Sequence, residues 1–258
     1  MSDAGLLALQ VRTTNKAFWR NPASAFFTFA FPLMFLVIFT ALLGNGMVEV
    51  APGVEIQQDN YYVAAMAAFA VITATYTNLA ISIAFTRDVG ILKRTRGTPL
   101  PAGIYLGGRV VHAILISILL VLITTAFGIA FYEAEAPTGV LLWELLATVV
   151  VGAMAFSALG LATTALVPNA DAAPAVVNAI ILPLLFLSGI FIPLGEDAPT
   201  WMKVIGDVFP VKHFAKAMLG SFYGPPFPFE WSDVLVVAVW GVAGLALAIR
   251  FFSWEPRK

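Results

Sequence analysis

Cysteine is absent from the 258 residues. No disulfide, thiolate metal site or cysteine nucleophile is therefore available. Histidine occurs twice, at His112 and His213, and neither has a second metal ligand at useful spacing. Charge is scarce as well. Asp, Glu, Lys and Arg make up 11% of the chain, against about 25% in soluble proteins. Hydrophobic residues make up 60%. So few charges cannot cover the surface of a soluble domain holding so much apolar material, and the same hydrophobicity excludes disorder. There is no G-x-x-x-x-G-K-[ST] phosphate loop, so no nucleotide site of that kind. The opening MSDAGLLALQVRTTNK lacks the apolar core and small-residue site of a cleaved signal peptide, and none is expected.

What is present is a series of long uncharged runs. They cover 21–48, 60–86, 110–132, 145–170, 172–195 and 234–249. A helix needs about 20 apolar residues to cross a bilayer. Backbone groups in lipid must pair within their own segment, so these runs are helices. The expected fold is an all-α membrane protein with six spans, at about 24–43, 61–85, 110–132, 141–167, 173–192 and 232–251. An interfacial helix precedes them, and an outer re-entrant helical segment, 193–231, joins spans five and six. The whole of 1–258 reads as one membrane domain.

Orientation follows from the basic residues. Eleven of the 14 Lys and Arg fall before span one, between spans two and three, or after span six. The other side holds Lys203, Lys212 and Lys216 but 11 of the 15 acids. The positive-inside rule then puts both termini in the cytoplasm.

Residues 4–20 are too polar to cross. Leu7, Val11, Thr14 and Phe18 share one helical face, and Arg12, Lys16 and Arg20 form a row beside it, as in a helix on the inner membrane surface. Asn21-Pro22 has the character of an N-cap followed by a first helical residue. Tyr61 and Tyr62 sit where an aromatic belt is expected. Pro168-Asn169-Ala170-Asp171 reads as a tight inner turn. Pro199 and Pro210 each suit the start of a short helix, with Trp201, Val204, Ile205 and Val208 on one apolar face.

No Asp, Glu, Lys or Arg lies mid-span. Such residues mark proton and ion pathways, so their absence argues against an ion-coupled carrier. Span two carries Thr75, Asn78 and Ser82 as a polar stripe, which lines a path or bonds neighbouring helices. Ala153/Ser157 and Gly244/Ala248 read as close-packing pairs. Ser188 lacks the base that a serine nucleophile requires, which disfavours an enzyme. The inner segment 87–109 places Val89, Ile91, Leu92 and Leu100 among five basic residues. A plain positive-inside loop needs the charges but not these apolar positions; a short helix offering Ile91 and Leu92 to another protein explains both, and a helix lying on the lipid surface is the alternative.

Three stretches carry a family resemblance: FWRNPASAFFTFAFPLMFLVIF at 18–39, FTRDVGILKRTRGTPLPAGIYLGGRV at 85–110, and LPLLFLSGIFIPLGEDAPTWMKVIGDVFPVKHFAKAM at 182–218. In that order across six spans, they resemble the permeases of type-2 ATP-binding-cassette exporters, in the branch of the daunorubicin-resistance-like multidrug permeases. The resemblance implies a permease dimer, most simply a homodimer, in the plasma membrane of a prokaryotic cell. Two separate ATPase subunits would dock below it, and they would hold ATP and Mg2+, with no cofactor in this chain. It implies ATPase coupling through Asp88, Gly90, Lys93, Arg94, Thr98 and Pro99, and through Arg12, Lys16 and Arg20. It implies an outer gate around Pro193, Trp201, Pro210 and His213. Phe186 and Ser188 join Thr75, Asn78 and Ser82 as candidate path residues. The expected cargo is a hydrophobic drug-like molecule or lipid. A lipid-linked or polysaccharide cargo is the alternative, and an ion-coupled carrier a weaker one. The lipid bilayer and other protein chains are the expected partners, with no nucleic acid.

Overall fold

The computed structural model describes residues 2–43, 46–51, 54–193, 198–224 and 229–255. Gly44 and Asn45, expected to end span one, lie outside these, as do 194–197 of the outer segment, 225–228 and the last three residues. The expected all-α membrane architecture is found. Five helices are long and apolar enough to cross a membrane, and a sixth apolar helix is shorter.

The first helix, α1 (Asp3–Trp19), is capped by the Ser2 side chain and has no fully buried residue. Its expected apolar face (Leu7, Val11, Thr14, Phe18) is half-buried, while Arg12, Lys16 and Arg20 are exposed. That face rests on a later helix rather than on lipid alone. Helix α2 (Pro22–Leu43) starts where Asn21-Pro22 places it, and the Asn21 side chain accepts from the Ser24 N–H at 3.3 Å. Two short antiparallel strands come next, β1 (Met47–Ala51) and β2 (Val54–Gln57). The span pattern alone does not announce them. Their signal is the alternation of MVEV and VEIQ around Pro52-Gly53.

Span two is the axis of the molecule. It runs as α3 (Gln58–Ile72), a π-helical turn at Thr73–Thr77, and α4 (Asn78–Asp88). Nearly every residue of α3 is buried. Tyr61 and Tyr62 therefore do not form a lipid-interface belt. Both are buried, and their hydroxyls donate to the carbonyls of Gly189 and Phe191. The correction has a physical reason. Backbone that leaves the helix at membrane depth needs protein partners, and these tyrosines supply them.

A short helix α5 (Ile91–Arg96) precedes α6 (Ala102–Tyr132). With 31 residues, α6 is roughly 46 Å long, well beyond the ~30 Å hydrocarbon layer. The last part of the expected inner segment, 102–109, is thus the helical base of span three. The α1 face packs there, and a Cβ at Gly108 would lie 2.5 Å from Gln10 Cβ. Helix α7 (Val140–Thr163) leads through an irregular turn to α8 (Ala173–Leu187), which ends before the expected 192. At 15 residues α8 spans roughly 22 Å, and residues 188–193 continue without helix.

Two short helices, α9 (Thr200–Val208) and α10 (Pro210–Tyr223), begin at the expected prolines. The second ends at Gly224 (φ 60°), a conformation glycine adopts at little cost. Phe214 of α10 packs into the space left by Gly152, where a Cβ would lie 2.2 Å from its ring. Helix α11 (Trp231–Phe251) lies along α7, with Gly241 and Gly244 against Ala155 and Leu159. Small residues at such crossings let the backbones approach closely. Trp254 reaches Tyr105, with ring centroids 6.1 Å apart, so the C-terminal segment lies beside the base of α6, where α1 also packs.

One close crossing involves the π turn. A Cβ at Gly160 would sit 2.8 Å from the Tyr76 carbonyl oxygen and 3.2 Å from its Cα. Backbone atoms cannot step aside as a side-chain tip would. Gly160→Ala is therefore expected to destabilise the bundle by about 1–3 kcal/mol. Gly103→Ala, with no atom within 4 Å of its Cβ, is expected to have little effect. Thermal melting of the purified protein in detergent compares the two.

Candidate functional site

The candidate coupling residues lie on or beside α1 and α5, at the end of the bundle that holds the base of α6. Gly90 (φ 76°) turns the chain sharply out of α4, and α5 starts at the next residue. Lys93, Arg94 and Arg96 are exposed on α5, and none forms an ion pair among the described residues. Ile91 is 42% exposed, but Leu92 is fully buried. Leu92 packs in a cluster with Leu79, Ile83, Tyr105 and Leu161. It is thus the anchor of α5 and not part of an offered surface, a correction to the sequence reading. A six-residue helix cannot hold itself in water and needs such a tertiary contact. Thr98 donates to the Thr95 carbonyl at 2.7 Å and, with Pro99, continues the exposed strip. Arg12, Lys16 and Arg20 lie on α1, which flanks the same base of α6.

Beneath this strip lies an interaction that the sequence does not announce. Arg87, the penultimate residue of α4, is only 1% exposed. Its guanidinium donates to the carbonyls of Thr164 at 3.0 Å, Val167 at 2.7 Å and Pro168 at 3.4 Å. These carbonyls come just after the end of α7, and the Thr164 carbonyl also accepts from the Val167 N–H at 3.3 Å. Arg87 Nε also meets Asp88 Oδ1 at 3.4 Å, and the other Asp88 oxygen accepts from the Ala170 N–H. The pair joins α4, just ahead of α5, to the α7–α8 turn. By sequence Arg87 reads as one more basic loop residue. The available signal is its place as the last cation before the helix end, with an acid beside it.

The path candidates divide. Asn78 and Ser82 line a cavity of about 660 Å³ between α1, α2, α4 and α6. Thr75 does not share it. Thr75 is fully buried and bonds the Val71 carbonyl at 2.6 Å. The π turn explains the split, because it adds about a residue per turn and rotates the helix beyond it. A stripe drawn at α-helical spacing is broken there. Ser188 is buried at the end of α8 and bonds Leu185, while Phe186 is exposed on the outside of the bundle. Neither lines that cavity.

The outer candidates also fall into separate surroundings. Pro193 closes the non-helical stretch after α8, and Trp201 is exposed with Val204 and Val208 on α9. Pro210 is buried at the start of α10. Only His213 holds a polar cluster. Its Nδ1 pairs with Asp233 of α11, and its Nε2 lies 2.9 Å from the Asp207 carbonyl of α9. Three outer helices therefore meet on one imidazole. The Lys212 ammonium, hydrogen-bonded to the Asp207 carboxyl, holds that carboxyl below the usual range. The pair therefore adds stability at neutral pH that is lost as pH falls through the lowered pKa.

Arg87→Gln is expected to lower stability by about 3 kcal/mol or more, since it strands buried carbonyls and Asp88. Arg87→Lys recovers only part, because an ammonium cannot match the planar fork. Arg96→Gln on the exposed strip serves as the near-neutral control. Thermal melting of the three variants decides.

No curated protein matches the chain. A known membrane family does, over residues 6–223, which takes in every element from within α1 to the end of α10. With that match and this multi-span helical architecture, the chain belongs to the ABC-2 type transporter family and is a membrane transport component of that family.

Proposed function

We propose that this chain is the permease subunit of an ATP-driven exporter, working as a pair of copies above two separate ATPase subunits. Family membership supports the reading, and one observation carries it. The exposed basic helix α5 is anchored by Leu92 and tied through Arg87 and Asp88 to the α7–α8 turn. A partner that pushes on α5 would move the inner ends of α4, α7 and α8 together.

On this reading α8 and the stretch after it count as the fifth crossing, and both termini face the cytoplasm. Lys93, Arg94, Thr98 and Pro99 meet the ATPase directly, with Arg12, Lys16 and Arg20 of α1 as a second contact. Asp88 and Gly90 set the angle of α5. The outer gate is the group formed by α9, α10 and the segment before them. The cargo is hydrophobic and drug-like, or a lipid, and it leaves the cell.

Replacing both Lys93 and Arg94 by Glu tests the docking role. Membranes carrying the permease and its ATPase are assayed for export of a hydrophobic fluorescent dye and for ATP hydrolysis. Dye export and permease-stimulated hydrolysis are expected to fall about tenfold, the scale of a typical coupling free energy. Insertion and the ATPase's own basal hydrolysis stay unchanged. Full export by the double variant would overturn the assignment.

A further inference from the structure

The cavity between α1, α2, α4 and α6 has a chemistry that the transport reading does not use. Arg109 lines it from α6. One of its terminal nitrogens donates to Ser82 Oγ at 2.9 Å and the other to the Tyr105 hydroxyl at 2.8 Å. Both acceptors are neutral. The third nitrogen, Nε, is buried without a partner among the described residues, and Arg109 forms no ion pair among them. One helical turn further on, His112 also lines the cavity and is 8% exposed. Its Nδ1 is buried and has no hydrogen-bond partner among the described residues. Two buried nitrogens without partners beside one cavity need explaining, since such groups cost about 1–3 kcal/mol each.

The rest of the lining narrows the ligand. Among the described residues no Asp or Glu lines the cavity, so none there neutralises the guanidinium. Asn21 and Ser24 place the positive end of the α2 dipole at the same cavity. Phe18, Leu79, Phe85 and Ile116 supply an apolar side. The volume is that of an ordinary ligand pocket. Arg109 stands just before the uncharged run 110–132, near the N-terminal end of α6 and on the side where the basic residues gather.

We propose that this cavity binds the anionic headgroup of an amphiphile from the adjoining leaflet, with Arg109 and His112 contacting a phosphate or carboxylate and the apolar side taking the start of its chain. A plain interfacial arginine would need neither a cavity beside it nor a second buried nitrogen without a partner. The proposal does not require ATP or an ATPase, so it stands or falls apart from the coupling assignment.

The test uses the full chain purified in a neutral detergent. Retained and added ligands are counted by native mass spectrometry, and melting is followed alongside. Three probes are compared: phosphatidylglycerol, phosphatidylcholine and inorganic phosphate. The wild type is expected to hold phosphatidylglycerol about tenfold more tightly than phosphatidylcholine, a difference of about 1.4 kcal/mol. Arg109→Gln and His112→Leu each remove that preference. Arg109→Lys keeps part of it, and Arg250→Gln, a basic residue at the far end of α11, keeps all of it. Equal binding of the two lipids by the wild type overturns the proposal, and so does equal loss in the Arg109 and Arg250 variants. Inorganic phosphate reproducing the full effect overturns the amphiphile assignment. Should Arg109→Gln fail to fold, His112→Leu and the wild-type comparison still decide.

Discussion

One guanidinium closes the end of this bundle where α4 meets the α7–α8 turn. Arg87 is buried and satisfies the carbonyls just beyond α7, and its neighbour Asp88 holds the next turn by a backbone N–H. In lipid or at its edge, a helix end has no water to complete its hydrogen bonds. Two helices can stop together there only if one lends donors to the other. The arrangement also limits independent motion, because moving α4 away from α7 would expose three carbonyls and a buried charge at once.

The same principle operates at the other end of span two. Residues 188–193 leave the helix, and the Tyr61 and Tyr62 hydroxyls take up two of their carbonyls. Tyr223 of α10 donates in turn to the Asn60 carbonyl. Span two is thus a buried rod whose tips serve the irregular backbone of other segments. Its π turn, fitted against Gly160 and tied by the Tyr76 hydroxyl to Thr163 at 2.9 Å, fixes its rotation against α7. A disturbance applied at α5 meets this rod first.

Much of this is legible in the sequence. Long uncharged runs mark the spans, all but the last of them (16 residues at 234–249) long enough to cross a bilayer, and Asn21-Pro22, Pro199 and Pro210 mark helix starts to within a residue or two. The amphipathic face of α1 follows from its period. What stays hidden depends on which side chains face protein rather than lipid. Apolar composition is the same in both cases, so Tyr61 and Tyr62 look like interface residues and Leu92 like an offered one. A basic residue at the inner side fits the positive-inside rule whether or not it is buried, which conceals Arg87. A π turn leaves no periodic mark in five residues, so α-helical spacing puts Thr75 on the face of Asn78. The hairpin at 47–57 is readable from its alternation but is short enough to pass for a loop.

On the proposed function, α5 is the surface through which the permease is driven. The absence of cysteine gives a direct way to measure it. Single cysteines at Ile91 or Arg94, and at Trp143 at the opposite end of the bundle, are treated with a short bifunctional thiol reagent in membranes holding the ATPase. Cross-links to the ATPase are expected from the two α5 positions and none from Trp143. Cross-linking absent from α5, or as strong from Trp143, would contradict it.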